Sequence, residues 1–179
     1  RPDFVLAYGG DGTVLMAEYK YPGVPKIPVK NSKICSVCSI YGCNSLEAAL
    51  VKLKLGKYTV KKIEKVEAVF NGQKVTGLNE IQIRNKDPRT AVRFSVSCSD
   101  SKLKDIIGDG IIASTAHGST AYYRALGCRP FSKGVRIGFN NVYPVQNPIE
   151  VASEAKIKIT RGTAVLLADN QKKILTVKQ

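Results

Sequence analysis

The first indication of the fold lies in residues 4–13, which read Phe-Val-Leu-Ala-Tyr-Gly-Gly-Asp-Gly-Thr. A short apolar run that ends in glycines and continues into a helical pattern predicts a β-strand, a tight loop and the start of a helix. Because glycine has no Cβ, the backbone of such a loop can approach an anion, and the free N–H groups at the start of the helix favour negative charge. The stretch therefore predicts a phosphate-binding turn in an α/β unit.

Asp11 places a carboxylate inside this turn. Anion binding alone does not need a carboxylate, but Mg²⁺ ligation or proton transfer from an attacking hydroxyl group does, as in protein kinases. The alternative is structural, because Asp is also a common helix N-cap. Residues 4–13 by themselves leave both interpretations open.

The residues that follow extend the α/β unit as far as position 56. A second strand is expected near residues 26–29, and a helix is expected from an N-cap at Asn44, supported by Glu47, to a stop at Gly56. Only one strand precedes the glycine loop, although such loops normally close the edge of a larger parallel sheet, and residue 1 is not Met. We therefore expect a small α/β lobe, residues 1–56, that is incomplete at its N-terminus.

From residue 57 onward the hydrophobic period shortens from about 3.6 toward 2, which is typical of strands. Asn71-Gly72 lies between two extended runs and predicts a hairpin. One short helix is expected at residues 119–126. The sequence thus predicts a two-lobe α+β protein: the α/β nucleotide-binding lobe and then a β-rich, sandwich-like lobe, residues 57–179, with the option that its C-terminal residues return to the first lobe.

Composition limits the classes of function. Lys+Arg 28 against Asp+Glu 14 gives a formal net charge of +14, and 44% of the 179 residues are hydrophobic. Such an excess of positive charge attracts anions, including phosphorylated small molecules. No nucleic-acid-binding module, no secretion signal and no run of about 18 apolar residues is recognisable. We therefore expect a cytoplasmic protein with no nucleic-acid and no membrane partner.

The cysteines allow two interpretations. In a chain without a secretion signal we expect reduced thiols. Three of the five are spaced almost like metal ligands, but a structural zinc would need a distant fourth ligand, so small buried thiols are the alternative and no metal site is assigned. The cysteines are Cys35, Cys38, Cys43, Cys98 and Cys128.

Two further segments combine strand patterns with polar residues. Asn79 and Glu80 interrupt an apolar run, and if they point inward they need partners, since uncompensated burial costs about 1–3 kcal/mol. A ligand or a solvent-facing strand end would satisfy them. Residues 108–122 read Gly-Asp-Gly-Ile-Ile-Ala-Ser-Thr-Ala-His-Gly-Ser-Thr-Ala-Tyr. This strand and its hydroxyl-rich loop suit recognition of a ribose, base or phosphate, although an ordinary helix N-cap would also explain some of the hydroxyl groups.

Together, Gly-Gly-Asp-Gly-Thr at residues 9–13, the Asn79-Glu80 pair and residues 109–122 resemble, in this order and spacing, the NAD kinases, which make NADP. The resemblance covers residues 4 to about 127 and, more loosely, the β-rich remainder. The first motif also occurs in diacylglycerol, sphingosine and phosphofructokinase-type kinases. The third motif is much more specific to the NAD kinases.

The resemblance implies phosphoryl transfer from ATP or inorganic polyphosphate to the 2′-hydroxyl of the adenosine ribose of NAD, with Mg²⁺ or another divalent cation. It also implies an active site between two lobes and a homodimer or homotetramer. Asp11 would be the catalytic base. The implied binding residues are Gly9, Gly10, Gly12 and Thr13 at the phosphate site, and Asn31, Asn79, Glu80, Asp109, His117, Thr120, Ala121, Tyr122 and Ala125 around the dinucleotide.

Some segments depart from the family pattern. In the turn after the second strand only Asn31 corresponds, His117 stands where a small hydroxyl residue is usual, and residues 140–148 replace a segment rich in His and Ser. Two alternatives therefore stay open. One is an NAD- or NADP-binding homologue with weak or no catalysis, and the other is a lipid kinase that shares the glycine loop.

Overall fold

The computed structural model of the chain describes residues 2–98 and 101–179. The chain divides into two compact units, with the boundary between Lys62 and Ile63. The boundary predicted after residue 56 lies within the first of these units. Each unit is built from its own elements and its own buried side chains.

Unit 1, which ends at Lys62, is a small α/β layer. Strands β1 (Val5–Gly9) and β2 (Lys26–Lys30) pair in parallel, and helix α1 (Asp11–Lys20) connects them. Two parallel strands need a crossover of this kind, because the chain must return to the same end of the sheet. Helices α2 (Ser36–Tyr41) and α3 (Leu46–Lys54) follow. The strand, glycine turn and helix start expected at residues 4–13 are confirmed.

Helix α3 begins one residue later than predicted. Its N-cap is Ser45, whose Oγ accepts a hydrogen bond from the backbone N–H of Ala48 at 3.1 Å. The predicted cap, Asn44, is wrong because Asn and Ser cap helices about equally well, so adjacent candidates cannot be distinguished by type. The predicted stop at Gly56 fits the left-handed backbone of that residue, at φ +64°.

Unit 2, which begins at Ile63, is built on one large antiparallel sheet. Its central strand is β7 (Ser101–Thr115), whose first half pairs with β6 (Val92–Cys98) and whose second half pairs with β5 (Glu80–Asn85). Strand β8 (Val135–Tyr143) pairs along the opposite edge of β7. The other strands are β3 (Val66–Phe70), β4 (Gln73–Gly77), β9 (Ile149–Val151), β10 (Ala155–Arg161), β11 (Thr163–Ala168) and β12 (Leu175–Lys178).

The main core of unit 2 lies on one face of this sheet. Phe94, Ile106, Ile137 and Val96 are almost completely buried there, as expected for side chains that alternate between core and opposite face along each strand. The β3–β4 hairpin covers a second cluster on this face. Its turn at residues 71 and 72 has two positive φ angles, which confirms the hairpin predicted from Asn-Gly.

A short helical segment covers part of the other face. It consists of a 3₁₀ turn (Gly118–Thr120) and helix α4 (Tyr122–Ala125). The ring of Tyr123 lies so close to Gly138 of β8 that a Cβ at residue 138 would be 3.1 Å from it. The prediction of an α+β protein with a small α/β part and a large β-rich part is confirmed, and none of the helices in the described ranges is long and apolar enough to cross a bilayer.

The expectation of reduced thiols is wrong for two of the cysteines. Cys35 and Cys38 form a disulfide in unit 1, and both are buried. The expectation came from the cellular compartment, whereas their pairing follows from the first turn of α2, which places their Cα atoms 5.3 Å apart. This disulfide is incompatible with a zinc site that uses both sulfurs. Among the described residues, Cys43, Cys98 and Cys128 are free thiols, and no group of three or more potential metal ligands is found.

We expect alkylation under denaturing, non-reducing conditions to modify three of the five cysteines, and all five after reduction, because only the pair in α2 is oxidised. Mass spectrometry of the intact chain measures this. In a Cys35→Ser control, the four remaining cysteines should react without reduction. Five modified cysteines in the unreduced wild-type chain would contradict the disulfide.

Candidate functional site

Close packing in the turn of unit 1 requires glycine at residue 9. A Cβ on Gly9 would lie 2.2 Å from Oγ1 of Thr13, so no larger residue fits at the end of β1 without displacing that side chain. Gly10 is the N-cap of α1, and its carbonyl accepts the N–H of Thr13 at 3.0 Å. The backbone N–H of Asn31 donates to the Gly9 carbonyl at 3.0 Å. Unit 1 therefore brings Asn31 beside the turn.

The carboxylate of Asp11 is held by backbone N–H groups from α2. Val37 donates to Oδ1 at 2.8 Å and Ser36 donates to Oδ2 at 3.1 Å. The Cys35 sulfur lies 3.4 Å from Oδ1. Asp11 therefore does act as a helix cap, but for α2 and not for its own helix α1. A carboxylate has about four lone-pair positions, so these two donors leave acceptor positions for a proton or a cation.

In unit 2 the backbone of residues 78–80 is anchored on both sides. The Asp169 carboxylate accepts the backbone N–H groups of Leu78, Asn79 and Glu80 at 2.7, 2.9 and 3.1 Å. On the carbonyl side, Oγ1 of Thr115 donates to Leu78 at 2.8 Å. The Asn79-Glu80 pair is therefore positioned by two side chains that are distant in sequence.

The Glu80 side chain points inward. The residue is only 6% exposed, Gln82 donates to its Oε1 at 3.3 Å, and its Oε2 is buried with no hydrogen-bond partner among the described residues. Burial, and secondarily the charge of Asp169, raise the pKa of this carboxyl from 4.5 to about 7, although the Gln82 hydrogen bond acts in the opposite direction. Near neutral pH, Glu80 can therefore either donate or accept a hydrogen bond. Of the two interpretations of this position, the structure supports the inward one.

The hydroxyl-rich loop after β7 packs directly on Asn79. The backbone N–H of Thr115 donates to the Asn79 carbonyl at 2.9 Å, and the N–H of Gly118 donates to Oγ1 of Thr115 at 3.0 Å. A Cβ on Gly118 would lie 2.2 Å from the Asn79 carbonyl oxygen, so this approach requires glycine. Unit 2 thus brings together two of the segments that sequence analysis singled out separately.

The remaining predicted residues surround this junction or lie along β7. The side chain of Asp109 accepts hydrogen bonds from Asn85 at 3.3 Å and from Asn141 at 3.1 Å. Tyr122 is half-buried, whereas its neighbour Tyr123 is a core residue. His117 precedes the 3₁₀ turn as its N-cap, and the exposed residues are Thr120, Ala121 and Ala125. The structure thus brings the predicted residues of unit 1 together at the glycine turn and most of those of unit 2 together at this junction, whereas Asp109 lies at the opposite end of β5 from Glu80. The roles of all these residues stay predictions.

The sequence did not indicate that the side chains of Asp169 and Thr115 hold the backbone of residues 78–80. Thr115 lies inside the segment of residues 108–122, but its hydroxyl group could not be distinguished there from an ordinary helix-capping group. Asp169 has a positive φ of 46°, which is typical of a turn, and nothing near it in sequence indicates that it reaches residues 78–80. Only the antiparallel pairing of β5 with β11 brings it there.

We expect the Glu80→Gln substitution to stabilise the protein above pH 7. Because folding raises the pKa of Glu80, the stability that its neutral form supports is complete below about pH 4.5 and is lost as the pH rises through about 7. Because Gln cannot ionise, the variant should not show this loss of unfolding free energy, which amounts to up to roughly 3 kcal/mol in the wild type. Urea unfolding at pH 5 and pH 8 measures the difference, with the exposed Glu154→Gln as control. An unchanged pH dependence in Glu80→Gln would show that this carboxyl titrates in its ordinary range.

Two comparisons with known proteins identify similar proteins, whereas no family model matches the chain. The NAD kinase of Clostridium kluyveri is 33% identical over 131 residues, which cover 70% of this chain and 46% of that protein. The NAD kinase of Saccharolobus solfataricus is 33% identical over 120 residues, which cover 67% of this chain and 46% of that protein. The chain therefore spans about half the length of these curated relatives.

Solved structures share the fold. The crystal structure of an NAD kinase from Archaeoglobus fulgidus in complex with ATP matches 99% of this chain and 71% of its own, with a TM-score of 0.71 and 21% identity. The structure of yeast NADH kinase complexed with NADH matches 93% of this chain and 53% of its own, with a TM-score of 0.75 and 16% identity. By sequence and by fold, the chain belongs to the NAD kinase family.

Proposed function

We propose that this chain phosphorylates the 2′-hydroxyl group of the adenosine ribose of NAD and so forms NADP, with ATP or inorganic polyphosphate as donor. The observation that carries the proposal is the packing of the Asn79-Glu80 pair against the loop at residues 115–122, since these are motifs by which the sequence resembles NAD kinases. The relatives that were crystallised with ATP and with NADH support nucleotides as substrates.

The unit 2 junction is suited to binding a polar ligand. Glu80 has a buried oxygen without a hydrogen-bond partner among the described residues, and the loop offers the exposed hydroxyl group of Thr120 and the half-buried ring of Tyr122. Ribose hydroxyl groups and the nitrogen atoms of a base can each pair with a carboxyl group that either donates or accepts. A nucleotide could therefore compensate the desolvation of Glu80, which ordinary packing leaves uncompensated.

In the proposed reaction the ribose 2′-oxygen attacks the terminal phosphorus of the donor. For ATP, the bond between this phosphorus and the β–γ bridging oxygen breaks and ADP leaves, while the proton of the 2′-hydroxyl passes to Asp11. Backbone N–H groups of α2 fix the orientation of this carboxylate and leave it acceptor positions. Positioning and charge stabilisation account for most of the catalysis in such reactions.

We further propose Mg²⁺ as the divalent cation and a homodimer or homotetramer as the assembly. A magnesium ion is usually held by one or two carboxylates together with substrate phosphates and water, and it neutralises charge on the phosphoryl oxygens. Asp11 is a carboxylate in a phosphate-binding turn with lone pairs to spare, so the chemistry of this donor fits such an ion.

The reaction itself is tested by incubating the chain with NAD and either ATP or polyphosphate, and measuring NADP by an NADP-specific dehydrogenase assay. NADP formation with one of the donors is the expected result. If calorimetry shows NAD binding but no NADP forms, the chain is a dinucleotide-binding homologue without catalysis. Transfer of labelled phosphate from ATP to diacylglycerol in place of NAD would identify a lipid kinase.

We expect Asp11→Asn to lower the rate of NADP formation by about 10²–10⁴-fold, because general-base assistance is typically worth that much. The affinity for NAD should stay within a few-fold of wild type, since the substitution retains the shape of the side chain. Asp3→Asn, an exposed position in the same unit, is the matched control and should have wild-type kinetics. Near-normal turnover in a folded Asp11→Asn variant would exclude Asp11 as the base.

A further inference from the structure

We infer that Asp169 is a positioning residue for dinucleotide binding, because its carboxylate fixes the backbone from which Asn79 and Glu80 present their side chains. This inference rests on the proposed function, since it assigns Asn79 and Glu80 to the ligand. Asp169 itself does not belong to any segment that the sequence indicated as functional. It lies directly after β11, where the chain turns at a positive φ of 46°.

The contacts of Asp169 satisfy the backbone N–H groups of residues 78–80 and the carbonyl group of Glu80. Oδ2 accepts the N–H of Leu78 at 2.7 Å, and Oδ1 accepts the N–H groups of Asn79 and Glu80 at 2.9 and 3.1 Å. Its own N–H donates to the Glu80 carbonyl at 3.1 Å. Regular pairing between β5 and β11 ends at Ala168 opposite Ile81, and Asp169 extends it by one residue, with its backbone N–H as donor and its side chain as acceptor. Hydrogen bonds to an ionised acceptor are about twice as strong as neutral ones.

The segment has little freedom to move away from Asp169. A Cβ on Gly77 would lie 2.3 Å from the Glu80 carbonyl oxygen and 3.3 Å from Oδ1 of Asp169. From the other side, Thr115 and Gly118 contact the carbonyl groups of residues 78 and 79. The direction of the Asn79 and Glu80 side chains therefore depends on Asp169 at one side and on the loop after β7 at the other.

Asp169 also acts on Glu80 through its charge. The elements around Glu80 carry several charged or titratable groups, but the negative charge of Asp169 is the one that raises the pKa of Glu80 in addition to burial. Removing this charge should therefore move the ionisation of Glu80 to lower pH, which a purely structural contact would not do. The other groups are Arg84 on β5, Asp109 on β7, and His117 and Arg124 around the 3₁₀ turn and α4.

The test is Asp169→Asn in the full chain. Asn tolerates the left-handed backbone and has nearly the same size, but it carries no charge and offers one acceptor oxygen in place of two. We expect the dissociation constant for NAD, measured by calorimetry, to rise about 10- to 100-fold, as for loss of hydrogen bonds to a charged group. The turnover number at saturating NAD should change much less. Carboxyl ¹³C NMR should show Glu80 ionising at lower pH than in wild type.

Gln171→Ala is the matched control, because Gln171 lies in the same turn and donates to the Thr76 carbonyl at 2.7 Å, and none of its hydrogen bonds in the described part of the chain goes to residues 78–80. It should lower the thermal stability of the protein but leave NAD affinity and the ionisation of Glu80 unchanged. Asp169→Ser is a second variant, which retains one small acceptor in case the Asn side chain does not fit.

The outcomes separate the inference from the proposed function. If wild type binds no NAD, the proposed function fails and the inference fails with it. If wild type binds NAD and Asp169→Asn binds it equally well, with Glu80 ionising at the wild-type pH, only the inference is overturned. It is also overturned if neither Asp169 variant folds while Gln171→Ala does, because Asp169 would then serve folding alone.

Discussion

Three consecutive backbone N–H groups, those of residues 78–80, must find acceptors where the chain enters the large sheet of unit 2. One carboxylate, that of Asp169, accepts all three, and the hydroxyl group of Thr115 satisfies the carbonyl side. Because each unpaired buried backbone group costs about 1–3 kcal/mol, these contacts determine how β5, the end of β7 and the end of β11 meet. The proposed dinucleotide site is built on this junction.

Carboxylates serve different purposes in this protein according to their hydrogen-bond donors. Asp11 and Asp169 each accept backbone N–H groups, which fix the orientation of the carboxylate. Glu80 is buried and lies near the charge of Asp169, so its pKa rises to about 7 despite the hydrogen bond from Gln82, and it can be neutral at physiological pH. Burial therefore distinguishes the carboxyl group of Glu80, which can exchange hydrogen bonds with a ligand as donor or acceptor, from the two carboxylates that are held by backbone N–H groups.

Features determined by adjacent residues could be predicted from the sequence. The glycine turn before α1, the hairpin at Asn71-Gly72 and the polar loop after β7 depend on local conformational preferences, and the structure contains each of them. Contacts that depend on the pairing of distant strands could not be predicted. Asp169 reaches residues about 90 positions away. The Cys35–Cys38 disulfide is local, but it follows from helix geometry, whereas the expectation of reduced thiols rested on the redox environment.

The central claim is that residues 78–82 and the loop at residues 115–122 form one binding surface for the dinucleotide. Amide hydrogen exchange, followed by mass spectrometry with and without saturating NAD, tests it most directly. The account predicts slower exchange in both segments on adding NAD and no change in β9 and β10 of the same unit. Exchange that slows only outside these two segments, at an NAD concentration where calorimetry shows full occupancy, would contradict it.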